Sequence, residues 1–244
     1  MAKKRHHSTI SEMQVLRAVR LFRYITRFLL ALFFYGSARR VKALEILLPK
    51  LEREGRLIVF RHKGQKVYSP ARKNGVQAVS IEHELGWIEV LIRLWRCRMG
   101  ESEIIPERAF RGFAIVVPES GIRYSKKRGT MLIVEFSTLK NFLHGVVKSK
   151  LTRYKKGLPD IEAKFQREIT VLFVIDTDRE KVKEFVERMR SFIAEPVISG
   201  FSGKARYPFF FIDFSSLKTI PEGKTMTTRR FYWHDGKEYP LSHD

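Results

Sequence analysis

The chain has 244 residues, 44% of them hydrophobic, with 47 Lys and Arg against 26 Asp and Glu and a formal charge of +21. This composition excludes a disordered chain and leaves room for one large domain or two small ones. A single cysteine, Cys97, excludes an intramolecular disulfide and suits a reducing cytosol. The most apolar run, Phe28 to Tyr35, falls far short of the roughly 20 residues that span a bilayer. The start Met-Ala-Lys-Lys-Arg-His-His lacks an apolar stretch and reads as a basic arm, not a secretory signal. A cytoplasmic protein with no membrane partner is expected.

The charge is unevenly placed. Residues 1–73 hold 18 Lys and Arg and four acids (Glu12, Glu45, Glu52, Glu54), a net +14, and the remaining 171 residues contribute +7. Ser11 is a plausible N-cap for a first helix with the apolar stripe Met13, Val15, Leu16, Val19 and Phe22, and with Arg17, Arg20 and Arg23 on the other side. Thr26 can cap a second helix that runs to about Tyr35 and ends at Gly36. Ser37 can cap a third, from Ala38 to Glu54, with Val41, Leu44, Leu47 or Leu48, and Leu51 inward and Gly55 as terminator. Pro49 inside it removes a donor. Leu57-Ile58-Val59-Phe60 and Lys66-Val67-Tyr68-Ser69-Pro70 flank the basic turn Arg61-His62-Lys63-Gly64-Gln65, the pattern of a hairpin.

Three short helices followed by a basic hairpin is the order of a winged helix. Its third helix would enter the major groove and its wing would touch the backbone or minor groove. Arg39, Arg40 and Lys42 fall at the start of that helix, where base-edge contacts usually arise. With Arg17, Arg20, Arg61, Lys63 and Lys66 they are the expected DNA-binding residues, and double-stranded DNA is the expected partner. The same arginines could instead form a solvated face or meet a protein.

The second module reads α-β-β-β-α-β-α-β. Its elements are a helix over Ile81–Met99, strand-like runs at Glu103–Ile105 and Phe113–Val117, a turn at Pro118-Glu119-Ser120-Gly121, and a hairpin from Ile122 to Phe136 around a basic turn. A helix over Leu139–Lys156 follows, with Leu143, Val147, Leu151 and Tyr154 on one face. Then come a buried strand over Ile169–Ile175, a helix over Arg179–Ile193 and a strand over Phe209–Phe214. The strand–helix–strand unit from Met131 to Ile175 favours parallel neighbours in a mixed sheet. Asp176-Thr177-Asp178 reads as the cap of the next helix, with a metal role as the alternative. His83 reads as a helix-start residue. The expected division is 1–76, 77–216 and a polar extension over 217–244.

Several short motifs together resemble the replication-relaxation family. They are Gly55-Arg56-Leu57 before the wing, His83-Glu84-Leu85, Pro118-Glu119, Val134-Glu135-Phe136-Ser137-Thr138, and Lys150-Leu151 with Tyr154. The resemblance covers roughly residues 12–175. That family occurs on plasmids, phages and conjugative elements, and joins a winged helix to a domain similar to the restriction-endonuclease-like fold. The resemblance therefore implies an α/β (α+β) chain whose winged helix precedes a mixed-sheet nuclease-like domain. Its implied role is in replication initiation or transfer, with replication or transfer proteins as further partners and a homodimer as one assembly.

A nuclease of this kind needs carboxylates converging on Mg²⁺ and a lysine for the phosphate or attacking water. The superfamily pattern is Pro-Asp followed by acid-x-Lys. Glu119 stands in the first acid position, Glu135 in the second, and Glu89 could supply a helix carboxylate, so these three are the implied metal ligands. The implied catalytic set is Glu119, Glu135 and Lys150. Ser137 stands where the lysine should be, and Lys148 or Lys150 on the following helix would have to replace it. Weak or absent catalysis is therefore expected. The alternatives are an active Mg²⁺-dependent endonuclease, with Mg²⁺ as cofactor, or a winged-helix transcription regulator.

Overall fold

A computed structural model describes residues 10–36, 42–71, 81–96, 103–112, 118, 120–123, 130–143, 145–218, 230–232 and 238–240. Helices and strands form two compact units, Met1–Ile92 and Arg93–Asp244. The division falls within one helix, whereas the sequence boundary lay at residue 76. Among the described residues, no helix is long and apolar enough to cross a membrane.

The first unit begins with α1 (Glu12–Phe22), capped by Ser11 and Gln14 in a reciprocal capping box. A two-residue strand, β1 (Ile25–Thr26), follows between the first and second helices expected from the sequence. It is too short for any periodicity to mark it. Thr26 also caps α2 (Arg27–Tyr35), accepting from the Leu29 N–H at 3.2 Å. Gly36, with φ of 76°, closes that helix in the left-handed conformation a glycine adopts without strain. Next come α3 (Lys42–Arg53), β2 (Leu57–His62) and β3 (Gln65–Pro70). The expected cap Ser37 and the start of the third helix, with Arg39 and Arg40, lie outside the described residues.

At the end of α3 the Arg56 N–H reaches the Leu51 carbonyl and the Gly55 N–H the Glu52 carbonyl, a Schellman motif with Gly55 at φ of 66°. β2 and β3 join through Lys63 and Gly64, both at positive φ, as a two-residue turn matched to strand twist requires. β1 pairs with β3, giving an antiparallel sheet of order β1-β3-β2. Val15, Val19, Phe22, Ile25, Leu30, Leu44, Leu48, Leu51 and Val67 fill the interior.

α4 (Ile81–Arg96) carries fully buried Ile88, Val90, Leu91, Ile92 and Leu94. The second unit then lays down β4 (Glu103–Pro106), β5 (Ser120–Arg123) and β6 (Thr130–Thr138) as an antiparallel meander. Here the expected turn is corrected. Ser120 and Gly121 are strand residues opposite Val134 and Ile133. A glycine suits the place because a Cβ on residue 121 would stand 2.9 Å from the Phe110 ring. The expected strand over residues 113–117 lies outside the described residues.

After β6 the chain forms α5 (Leu139–Leu143) and α6 (Val146–Phe165), not one helix from 139 to 156. Gly145, at φ of 73°, breaks the run, and α6 continues through Pro159. The break turns Leu143 outward, 68% exposed, so it does not share the face of Val147, Leu151 and Tyr154. β7 (Glu168–Asp176) returns parallel to β6. The next helix is divided at Met189 into α7 (Arg179–Arg188) and α8 (Arg190–Ile193), with Asp178 as the N-cap of α7. A small hairpin, β8 (Val197–Ile198) and β9 (Ala205–Arg206), precedes β10 (Phe209–Asp213).

The strand expected to reach Phe214 stops one residue short. The buried Asp213 carboxylate accepts from the Ser216 N–H at 2.7 Å and from the Ser215 and Ser216 hydroxyls, starting α9 (Phe214–Lys218). β11 (Arg230–Tyr232) and β12 (Glu238–Pro240) complete a mixed sheet of order β12-β11-β10-β7-β6-β5-β4. α6 and α7 cover one face over Met131, Ile133, Phe173 and Phe211.

Glu162 ties α6 to this sheet. Fully buried, it accepts from the Ile169 N–H at 2.8 Å and the Gly200 N–H at 3.1 Å, and pairs with the Arg206 guanidinium at 2.5 Å. Gly200 sits so close to α6 that a Cβ would lie 1.9 Å from the Pro159 carbonyl oxygen. Gly200→Ala should therefore cost about 3 kcal/mol, the upper range for overpacking, in urea denaturation of the full chain. A change within about 0.5 kcal/mol, the range of an ordinary surface substitution, would show that the hairpin yields freely.

Candidate functional site

Two places carry the residues of interest, one in each unit. In the first unit, Arg17 and Arg20 are exposed on α1, Lys42 is exposed at the start of α3, and Arg61 is exposed on β2. Arg20 and Arg56 line a shallow cleft beside Leu57 and Pro70. All four acids of residues 1–73 are ion-paired. Glu12 meets Lys50 and Arg56, Glu45 meets Arg27 at 3.3 Å, Glu52 meets Lys66 at 3.2 Å, and Glu54 meets Arg56 at 3.4 Å. The Lys50 hydrogen bond holds the Glu12 carboxyl below its ordinary range, and Arg56 adds to this.

Lys63, in the hairpin turn, is 2.6 Å from Glu82, whose carboxyl it holds low by hydrogen bonding. Lys63 and Lys66 are thus engaged by acids. Exposed pairs of this kind are worth about 0–1 kcal/mol, so phosphate can compete for either lysine.

In the second unit, β6 places alternate side chains on opposite faces. Met131, Ile133 and Glu135 share the row that faces α6, so one carboxylate interrupts an apolar stripe. α6 meets it with Lys150 and Tyr154, one helical turn apart and therefore on one face. The Lys150 ammonium donates to Glu135 Oε2, and the Tyr154 hydroxyl donates to Oε1. Glu135 is only 2% exposed and Tyr154 is fully buried, its ring edge-on to Phe173 at 6.0 Å. Phe173 is the cross-strand neighbour of Glu135 on β7.

The structure therefore joins Glu135 and Lys150, two of the residues expected from sequence, and adds Tyr154. Ser137 is buried two residues further along β6, its hydroxyl 3.4 Å from the Thr138 carbonyl oxygen. Lysine thus reaches the carboxylate from the neighbouring helix, not from the strand. Glu89 is half-buried on α4 in the first unit, and Glu119 lies outside the described residues. His83 sits in the first turn of α4.

Among the described residues, no three His, Cys, Asp or Glu side chains are grouped to hold a metal ion. Glu135 accepts from the protein at both oxygens, so the described donors do not fit a divalent cation as they stand. Asp178 serves as a helix cap and Asp213 as the anchor of α9.

Sequence reading missed Glu162 and Asp213. Glu162 lies four residues after buried Leu158, so it continues the inner stripe of α6. A charge on that stripe was the available signal, hidden because Gly157 and Pro159 look like helix breakers. No protein-family model, characterised protein or solved structure matches the chain.

A buried ion pair broken on one side strands a charge, which costs about 3–5 kcal/mol. Lys150→Met and Glu135→Gln should each be destabilising in urea denaturation. The double variant should lose less than the sum by about 1–3 kcal/mol, as residues in one network do. Additivity within about 0.5 kcal/mol would mean that the pair does not hold α6 to β6.

Proposed function

We propose that the chain is a double-stranded DNA-binding protein whose first unit is a winged helix and whose second unit is a nuclease-like domain with weak or no catalysis. The observation that carries this reading is the charge of residues 1–73, 18 bases against four acids, every acid already paired. Eleven of those bases stand among the described residues, a net +7 there, and a folded surface with that surplus suits a polyanion. Phosphate contacts would supply most of the affinity.

Element order supports the fold assignment. Helix, short strand, helix, helix and hairpin, with the sheet order β1-β3-β2, suit a winged helix whose α3 enters the major groove. Helix, antiparallel meander, helix and parallel strand suit the nuclease-like core. The bond from Lys150 to Glu135 supports weak catalysis, because a lysine that neutralises the carboxylate is not available to a phosphate. The short motifs quoted above support a setting in replication initiation or transfer of a mobile element, with replication or transfer proteins as further partners.

Duplex binding measured against salt concentration tests the reading. If about six phosphates are neutralised, the log–log slope should be near −5. A response that stays flat from low to physiological ionic strength would overturn it.

A further inference from the structure

The outer face of α3 carries an apolar strip in a basic frame. Ile46 is 71% exposed, the highest value among the large hydrophobic side chains described. Exposed Pro49 follows it on the same face, with exposed Lys42 one turn before and exposed Arg53 two turns after. Leu44, Leu48 and Leu51 are fully buried and fix the rotation of the helix. Ile46 lies roughly opposite them, so no small roll would bring it inside without pulling leucines out. The neighbouring acid, Glu45, is paired with Arg27 at 3.3 Å, which offsets its charge. Isoleucine is a weaker helix former than lysine or glutamine, so local stability gives no reason for it there.

A DNA groove of any sequence attracts Lys42 and Arg53, but among the base edges of the major groove one apolar partner stands out for an exposed apolar side chain. That partner is the C5-methyl group of a pyrimidine in the major groove, carried by thymine. 5-Methylcytosine carries the same group. We propose that Ile46 is a specificity-determining residue that packs against such a methyl group, with thymine as its source. The proposal rests on the DNA-binding reading of the first unit and adds which chemical feature of the base pair is read.

The test uses the full chain and a duplex selected by it from a random pool. Each thymine is replaced in turn by uracil, which removes the methyl group and leaves the hydrogen-bonding edge unchanged. At one or two positions binding should weaken about fourfold, the equivalent of ~0.8 kcal/mol for one buried carbon group. Ile46→Ala should bind thymine and uracil duplexes equally, keep its salt-dependent affinity, and match or slightly exceed the parent in urea midpoint, because the site is exposed and alanine is the better helix former.

Methylating the cytosines of the selected duplex is the second arm. Tighter binding there, with indifference to uracil, would overturn thymine as the source. Salt-dependent binding that ignores thymine-to-uracil exchange and cytosine methylation alike would overturn the role of Ile46 while leaving the DNA-binding reading intact. Failure to bind any duplex would overturn both.

Discussion

The second unit depends on how it neutralises two carboxylates buried under α6. A buried charge is costly unless it is paired and hydrogen-bonded. Glu135 on β6 meets Lys150 and Tyr154 on α6, and Glu162 on α6 meets the backbone at Ile169 and Gly200 and the guanidinium of Arg206. One clasp sits toward each end of the helix. Together they fix the rotation and height of α6 over the parallel pair β6 and β7. Apolar packing alone tolerates sliding, whereas a misplaced carboxylate leaves an unpaired charge in the core. The β8–β9 hairpin is held to that helix through Gly200 and Arg206.

The two units use charge differently. In the first, the acids serve the fold from its surface: Glu12 bridges Lys50 and Arg56, and Glu52 on α3 meets Lys66 on β3. Residues 1–73 keep a net +14 after those pairs are counted. In the second, which holds 29 Lys and Arg against 19 acids, the charged side chains that matter most to the fold are inside and paired. Among the described residues of the second unit, no three His, Cys, Asp or Glu side chains are grouped to hold a metal ion.

Much of this was legible in the sequence because it rests on short-range chemistry. Ser11, Thr26 and Asp178 were readable as caps, and Gly36 and Gly55 as terminators, since each satisfies backbone groups within a few residues. β7 was readable as a buried strand from its unbroken apolar run. What stayed hidden depends on partners far apart in the chain. The extension of α6 past Gly157 and Pro159 becomes evident only once Glu162 is seen to bind Gly200 and Arg206. The strand at Ser120-Gly121 looked like a turn, because glycine there answers to the Phe110 ring and not to local backbone. Glu135 and Lys150 could be named from motif positions, but only the fold shows that they neutralise each other.

The most direct measurement is cleavage by the full chain of a supercoiled plasmid to which it is bound, with Mg²⁺ or Mn²⁺ present. With Lys150 and Tyr154 occupying both oxygens of Glu135, the expected result is plasmid that is bound but stays supercoiled. Robust nicking or linearisation that disappears in Glu135→Gln would contradict this, and would mean that Lys150 releases the carboxylate to a metal when DNA arrives.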